Sequence, residues 1–260
     1  MCRWAAYYGK QIFLEDVIAR PAHSLIAQSV GASECKTTTN GDGFGVAWYD
    51  ARSEPGLFRD VSPAWSDPNL RSVARHVRSH LFLSHVRAST GSCISRTNCH
   101  PFVARNWSFM HNGQVGGFEK FRKAADMAIT DELYQFRRGS TDSEVLFLLA
   151  LGFGLDDDPK QAIQMAVGHM ETQSRKTGVT PHMRLSAAFS DGETLYAVRY
   201  SSDHIAPSVY YRFSENRAGW AVVSEPLERN EAGWKALEPG HFLTISKSGA
   251  TETGFAPMAA

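Results

Sequence analysis

Short runs rich in β-branched and aromatic residues recur along the chain and predict β-strands. The predicted strands cover residues 4–8, 45–49, 81–86, 107–110, 184–189, 194–200, 208–213, 220–224 and 241–245. Apolar residues at three- and four-residue spacing predict helices over residues 22–30, 69–77, 118–127, 143–151 and 159–176. The tetrapeptide Ser190-Asp191-Gly192-Glu193 lies between two predicted strands and predicts a hairpin turn.

The order of these elements favours a layered α+β architecture with packed sheets and outer helices, because strands flank a helical middle. The regular strand–helix alternation of a doubly wound nucleotide-binding fold is absent from the pattern. The glycine-rich stretch 41–45 precedes a predicted strand instead of opening a helix, so it does not predict phosphate binding. The sequence contains no repeat, low-complexity stretch or long linker, and we expect one domain over residues 2–260.

Composition narrows the function classes. Hydrophobic residues make up 43% of the 260 residues and charged residues 21%, an ordinary globular balance. The formal net charge of +0 gives no reason to expect a nucleic-acid partner or an acidic membrane surface. No apolar run reaches the ~20 residues of a membrane-spanning helix, and no signal peptide is recognisable, so we expect a cytoplasmic protein.

The chain has four cysteines, Cys2, Cys35, Cys93 and Cys99, and free thiols are the expectation without export signals. Cys93, Cys99 and His100 do not have the spacing of a zinc site. We therefore expect no metal and no cofactor, and interpret Cys35, Cys93 and Cys99 as structural thiols.

Cys2 is different because removal of Met1 would make it the first residue. A terminal cysteine carries a nucleophilic thiol beside a free α-amine, whose reference pKa values are roughly 8.5 and 7.7–8.0. Near neutral pH the amine can act as the base for the thiol, which makes an acyl-transfer centre without a catalytic histidine. The alternative is a small apolar residue at the start of a strand.

Two later segments carry groups that suit binding of an amino acid. Arg87, in the segment His85-Val86-Arg87-Ala88-Ser89-Thr90, follows a predicted strand, where a guanidinium can bind a carboxylate with two parallel hydrogen bonds. Asp142 lies in Ser140-Thr141-Asp142-Ser143-Glu144, where its carboxylate can bind an ammonium group. The alternatives are a surface arginine, and Thr141 or Asp142 as a helix N-cap.

Two further segments suit the walls of an active site. His111-Asn112-Gly113 directly follows a predicted strand, and an asparagine amide beside a glycine N–H can supply two donors to an oxyanion within one short turn. An Asn-Gly pair can equally be only a turn. The segment Asn98-Cys99-His100-Pro101-Phe102 predicts a turn-like break before another strand, with a role in shaping the pocket floor.

In this order behind Cys2, the segments resemble the class II glutamine amidotransferase domain. The resemblance implies the N-terminal nucleophile hydrolase fold, a four-layer αββα sandwich with two mainly antiparallel sheets. It implies Cys2 as nucleophile with its α-amine as base, and an oxyanion hole from the Asn112 side chain and the Gly113 N–H. It further implies substrate binding by Arg87 (α-carboxylate), Asp142 (α-ammonium), Thr90 and His100.

The layout is most similar to small stand-alone members of that family, the YafJ-like proteins and γ-glutamyl hydrolases, whose C-terminal ends resemble Val223-Ser224-Glu225-Pro226-Leu227. Ala88 and Gly91 stand where synthase-linked members often have an aromatic residue and a histidine. The resemblance implies hydrolysis of a small γ-glutamyl amide through a Cys2 thioester, with release of glutamate.

Alternatives are an ammonia-supplying glutaminase subunit with an acceptor enzyme as partner, a hydrolase of unrelated linear amides, and an inactive binding module. The sequence also leaves open whether the chain forms a homo-oligomer.

Overall fold

Two antiparallel β-sheets lie face to face between two layers of helices in the computed structural model, which describes residues 2–32, 39–89, 93–228 and 233–259. The strands in these ranges are β1 (Arg3–Phe13), β2 (Phe44–Tyr49), β3 (Gly56–Asp60), β4 (Arg78–Val86), β5 (Phe102–Ala104), β6 (Trp107–Val115), β7 (Met183–Ser190), β8 (Leu195–Ser201), β9 (Tyr210–Ser214), β10 (Gly219–Val223), β11 (Lys235–Ala236), β12 (His241–Ser246) and β13 (Gly249–Gly254). The helices are α1 (Glu15–Ile18), α2 (Leu25–Val30), α3 (Pro68–His76), α4 (Phe118–Met127), α5 (Asp131–Tyr134), α6 (Asp142–Gly152) and α7 (Pro159–Thr177).

Strand order shows which distant segments of the chain lie side by side. Over the described residues the first sheet has the order β11-β9-β10-β1-β4-β2-β3, and the second has β13-β12-β8-β7-β6-β5. The N-terminal strand β1 is therefore central, with β4 on one side and the late strand β10 on the other. This topology places the first residues of the chain beside segments that are distant in sequence.

Side-chain alternation along β1 builds two of the hydrophobic layers. Trp4, Ala6 and Tyr8 belong to the cluster between the sheets, and Ala5 and Tyr7 to the cluster beneath the outer helices. Successive side chains of a strand point to opposite faces, so a central strand buried on both faces has a nearly continuous apolar sequence.

The outer layers are helical. Helices α1, α2 and α3 cover the first sheet, and α4, α6 and α7 cover the second. Nine of the residues of α6, from Ser143 to Leu151, are buried, as expected for a helix that is apolar on all sides. The four-layer αββα sandwich that the family resemblance implies is confirmed. Within the described ranges, no helix is long and apolar enough to span a membrane.

Helix and strand ends correct several predicted boundaries. The helix predicted from residue 22 begins at Leu25, because the Ser24 side chain caps it by accepting a hydrogen bond from Ala27 N. The predicted hairpin turn between β7 and β8 is confirmed, but Thr194 belongs to it, because its N–H donates to the Asp191 carboxylate at 2.8 Å. The strand predicted from residue 208 begins at Tyr210.

Strand β6 is longer than predicted, which changes the setting of the Asn-Gly pair. It continues past Met110 to Val115, and Asn112 pairs with Ser186 and Gly113 with Leu185 of β7. The expectation of a short turn at residues 111–113 is therefore wrong. Ladder pairing with β7 keeps this polar segment extended, although it has no apolar alternation of its own.

Candidate active site

The sulfur of Cys2 lies at the end of the first sheet. Arg3 pairs with Val86 of β4, and Cys2 directly precedes this pair. The Ala88 N–H points to the Cys2 Sγ at 3.4 Å, and the Sγ lies 3.5 Å from the Ala88 carbonyl oxygen. Because Trp4 faces the space between the sheets, strand alternation turns the Cys2 side chain toward the same space.

Arg87 follows β4 as predicted, but it is buried, with only 3% of its surface exposed. Its Nη1 donates to the Asp42 carbonyl at 3.4 Å, and its Nη2 to the Ser89 hydroxyl and the Cys93 carbonyl at 3.2 Å each. The Asp42 carboxylate in turn accepts from Ser89 N at 2.7 Å. Arg87 is therefore not a surface arginine. It directly precedes Ala88, whose backbone contacts the Cys2 sulfur.

Asn112 presents a buried amide to the layer between the sheets. Its face of β6 is that of Met110, which packs between the sheets, because the two residues are two apart. Its Nδ2 is buried and has no hydrogen-bond partner among the described residues. The neighbouring strand residue Ser186 accepts a hydrogen bond from the Trp4 indole nitrogen at 3.1 Å. Because Ser186 pairs with Asn112, this bond places Asn112 near the N-terminal end of β1, which directly follows Cys2.

Gly113 and His111 lie on the other face of β6. A Cβ atom at Gly113, whose φ is +155°, would come within 1.8 Å of the Arg184 carbonyl oxygen. The His111 ring contacts the Ser143 hydroxyl at 2.8 Å and the Arg184 carbonyl oxygen at 3.1 Å. Burial lowers the pKa of His111, so the neutral ring links β6 to α6 and β7.

Asp142 joins the first turn of α6 to β6. Its Oδ2 accepts from Val115 N at 2.8 Å, and its Oδ1 accepts from Ser143 N at 2.8 Å. The N-cap is Thr141, whose hydroxyl accepts from Glu144 N at 3.2 Å. The capping role predicted for this segment therefore belongs to Thr141, and the Asp142 carboxylate is fixed beside it.

Asn98 connects the two predicted binding groups, which sequence reasoning did not foresee. Its Nδ2 donates to the Cys93 carbonyl at 2.9 Å and the Ser140 hydroxyl at 3.1 Å, and its Oδ1 accepts from Ser140 N at 2.8 Å. The Cys93 carbonyl is also a contact of Arg87, and Ser140 lies two residues before Asp142. The only sequence signal near this residue was the turn-like break predicted for residues 98–102, and Asn98 lies at the end of a short 3₁₀ turn, Arg96–Asn98.

His100 is buried and stacks on His85, with ring centroids 4.4 Å apart. Neither ring has a hydrogen-bond partner for its nitrogens among the described residues. Burial, with a smaller contribution from Arg87, lowers the pKa of His85 to about 3, and burial lowers that of His100 well below its usual value. Substrate contact by His100 stays a prediction.

Thr90, Gly91 and Cys35 lie outside the described residues. Cys99 is buried, and burial raises the pKa of its thiol, as expected of a structural cysteine, whereas the Cys93 thiol is exposed. No group of three or more metal-ligating side chains occurs in the part of the chain that the structure describes.

Comparison with known proteins identifies one family. The family model of class-II glutamine amidotransferases matches residues 19–211. The probable glutamine amidotransferase DUG3 of Saccharomyces cerevisiae is 34% identical, over 95% of this chain and 82% of that protein. The γ-glutamyl-hercynylcysteine sulfoxide hydrolase of Mycobacterium tuberculosis is 27% identical, over 97% and 96%.

One solved structure is similar to this chain over nearly the whole length of both proteins. It is that of a glutamine aminotransferase class-II domain protein from Silicibacter pomeroyi, with 61% identity, a TM-score of 0.81, and coverage of 98% of this chain and 100% of that one. The αββα sandwich is therefore the N-terminal nucleophile hydrolase fold.

Proposed function

Because the chain belongs to the class-II glutamine amidotransferases, we propose that it hydrolyses the γ-glutamyl amide of a small molecule through a thioester on Cys2. Residues 2–260 form one such domain, and removal of Met1 exposes the Cys2 amine. The observation that carries the proposal is the contact of the Cys2 Sγ with the backbone of Ala88 at 3.4 Å, one residue after the buried Arg87.

The chemistry needs only the two functional groups of Cys2. The α-amine takes the thiol proton, and the sulfur attacks the substrate side-chain carbonyl to form a tetrahedral oxyanion. When the oxyanion collapses, the carbon–nitrogen bond breaks, and the protonated amine delivers its proton to the leaving nitrogen. Water, deprotonated by the same amine, then attacks the thioester, which releases glutamate and restores the thiol.

The oxyanion is stabilised by two donors of β6. The buried Asn112 Nδ2 faces the layer into which the Cys2 side chain is turned. The Gly113 N–H points to the same strand edge as the Val115 N–H, because amides two residues apart share an edge. The Val115 N–H donates to Asp142, so this edge is the one that faces the binding groups. Loss of one such donor costs on the order of 10²–10³ in turnover.

Recognition of the glutamyl end rests on two opposite charges. Arg87 binds the α-carboxylate with its planar guanidinium, whose orientation the Asp42 and Cys93 carbonyls and the Ser89 hydroxyl hold. Asp142 binds the α-ammonium, because its Oδ2 can accept a second hydrogen bond besides the one from Val115 N. Thr90 completes the group of substrate-binding residues.

The proposed substrates are γ-glutamyl compounds larger than glutamine. The 27% identical relative, which spans 97% of this chain, is named as a hydrolase of a γ-glutamyl compound of that kind. The small Ala88 side chain leaves more room beside the sulfur than an aromatic residue would. A second candidate is an ammonia-supplying glutaminase subunit, which the name of the 34% identical relative favours.

Glutamate release from glutamine, γ-glutamyl dipeptides and a γ-glutamyl thiol compound tests the proposal. We expect turnover of the larger compounds, no turnover by Cys2→Ala, and a strongly raised KM in Arg87→Lys, because lysine lacks the two-point geometry. Turnover of glutamine alone would favour the ammonia-supplying subunit. Retention of Met1 in the intact mass, with no release from any compound, would contradict both candidates.

A further inference from the structure

A buried ion pair lies directly behind the residue proposed as nucleophile. Arg3 Nε lies 2.8 Å from the Glu225 Oε2, and their side chains are 1% and 3% exposed. The second Glu225 oxygen, Oε1, lies 2.6 Å from the His23 Nε2. Both carboxylate oxygens are therefore engaged, one toward the start of β1 and one toward the segment before α2.

The pair sits where backbone pairing with the late strand ends. The ladder between β1 and β10 begins at Ala5 and Val223, and Ser224 extends it by one residue through hydrogen bonds with Trp4 at 2.9 and 3.0 Å. Beyond Trp4, the contact on this side of β1 passes to the side chains of Arg3 and Glu225. The Glu225 carboxylate therefore holds the first residue of β1 in place where the hydrogen bonds of the ladder have ended.

Arg3 carries that support to Cys2. Its Nη1 lies 3.4 Å from the Cys2 carbonyl oxygen, to which it donates. The carbonyl shares a Cα with both the α-amine and the thiol-bearing side chain, so fixing it restricts where both reactive groups can lie. On the opposite side of Cys2, the sulfur contacts the Ala88 backbone.

Glu225 is itself held firmly. The Gln28 side-chain nitrogen donates to the His23 carbonyl at 2.9 Å and the Glu225 carbonyl at 3.2 Å. The His23 N–H also donates to the Leu227 carbonyl at 3.0 Å. The carboxylate therefore has a fixed place from which to hold Arg3.

We propose that Glu225, acting through Arg3, is a positioning residue that orients the Cys2 amine and thiol for attack. A buried ion pair is weak evidence for stability, because removing both charges from water costs about as much as their attraction returns. We infer its role from geometry instead, because the ion pair fixes the position of Cys2. A misplacement of about 1 Å can cost on the order of 10² in rate.

The test compares Glu225→Gln with Glu171→Gln. Glu171 is a matched control because it is 5% exposed and accepts hydrogen bonds from Arg175 and Tyr200, on α7 and β8, away from Cys2. For each folded variant, iodoacetamide alkylation of Cys2 is measured by peptide mapping against the exposed Cys93 as internal reference. The kcat and KM for a γ-glutamyl substrate and the free energy of unfolding in urea are measured alongside.

We expect Glu225→Gln to lower kcat by about tenfold or more, within the range for a misplaced nucleophile, with KM nearly unchanged. The ratio of Cys2 to Cys93 alkylation rates changes as well, and Glu171→Gln leaves kcat and this ratio at the wild-type values. Only the kcat comparison rests on the proposed function. The alkylation ratio reports the position of Cys2 even if no γ-glutamyl compound is turned over.

The double variant Arg3→Met/Glu225→Leu separates positioning from stability. Apolar replacement of a buried ion pair is often neutral or stabilising, so this chain is expected to fold. Under the proposal it is folded, with kcat and the alkylation ratio changed as in Glu225→Gln. Wild-type kcat and a wild-type alkylation ratio in the folded double variant would overturn it.

Discussion

The Trp4 indole nitrogen donates a hydrogen bond to the Ser186 hydroxyl at 3.1 Å, and this bond crosses from one sheet to the other. Trp4 lies two residues after Cys2, and Ser186 pairs with Asn112 across β6 and β7. Both side chains are buried. One hydrogen bond therefore relates the proposed nucleophile on the first sheet to the proposed oxyanion donor on the second.

Ser186→Ala removes the acceptor of this bond and leaves the buried indole N–H unsatisfied. An unsatisfied buried donor costs roughly 1–3 kcal/mol, so we expect the free energy of unfolding to fall by that amount. Urea unfolding followed by tryptophan fluorescence measures the loss. Ser186→Ala in a Trp4→Phe background serves as the control, because the indole donor is already absent there and the Ser186 substitution loses only the hydrogen bond from its hydroxyl to the Ser208 carbonyl. Equal costs in both backgrounds would contradict the assigned bond.

Gly113→Ala tests the close approach between β6 and β7. The new Cβ would lie 1.8 Å from the Arg184 carbonyl oxygen, so the two strands must separate locally. Overpacking of this kind costs roughly 1–3 kcal/mol, and we expect a corresponding fall in unfolding free energy together with a large loss of kcat. Gly254→Ala is the matched control, because a Cβ there has no heavy atom within 4 Å among its described surroundings. A Gly113→Ala protein as stable as the control would show that the strands are further apart.

Asp142→Asn and Thr141→Ala separate binding from capping at neighbouring positions. The asparagine oxygen can accept from only one of Val115 N and Ser143 N and carries no charge for the ammonium group, so KM should rise strongly and the unfolding free energy should fall by roughly 1 kcal/mol for the lost hydrogen bond. Thr141→Ala loses the N-cap of α6 and should lower the unfolding free energy by about 1 kcal/mol with KM unchanged. Steady-state kinetics and urea unfolding of both variants distinguish the roles. An unchanged KM in Asp142→Asn would remove Asp142 from the binding site.

The stacked histidines predict a loss of stability in acid. Burial lowers the pKa of His85 from 6.5 to about 3 in the folded protein and lowers the pKa of His100 in the same direction. Between these pH values the unfolded chain binds more protons, so the free energy of unfolding falls as pH decreases from 6.5 toward 3. Each histidine contributes a slope of up to about 1.4 kcal/mol per pH unit.

The slope is measured by urea unfolding at several pH values between 7 and 4. His85→Gln removes one titrating group and should make the dependence shallower, whereas the same substitution at the exposed His76 should leave it unchanged. Identical slopes in wild type and His85→Gln would mean that the buried ring is not held neutral.

The sequence predicts elements where local physics and tertiary packing agree. Strands β1 and β4 have apolar sequences because both of their faces are buried, and α6 and α7 begin after Thr141 and Asp158, whose side chains cap them. Strand β13 was not predicted, because it lies at a sheet edge and consists of small and polar residues without a hydrophobic pattern.

The residue types of the candidate site were predictable, but their connections were not. Arg87, Asn112 and Asp142 were predicted from residue type, order along the chain and the family resemblance, and their roles stay predictions. The bridging role of Asn98 and the pairing of Arg3 with Glu225 depend on contacts between segments that only the folded sheets bring together. The sequence pattern also predicted that β6 ends at Met110, because residues 111–114 are polar or glycine. In the structure, pairing with β7 keeps these residues extended.

The covalent intermediate is the most direct test of the proposed mechanism. A reaction with a γ-glutamyl substrate is quenched during turnover, and the N-terminal peptide is mapped by mass spectrometry. We expect a peptide that lacks Met1 and carries one glutamyl group on the Cys2 sulfur, with no such adduct on the Cys93 peptide. Glutamate release without any adduct on Cys2, continuing in Cys2→Ala, would contradict the mechanism.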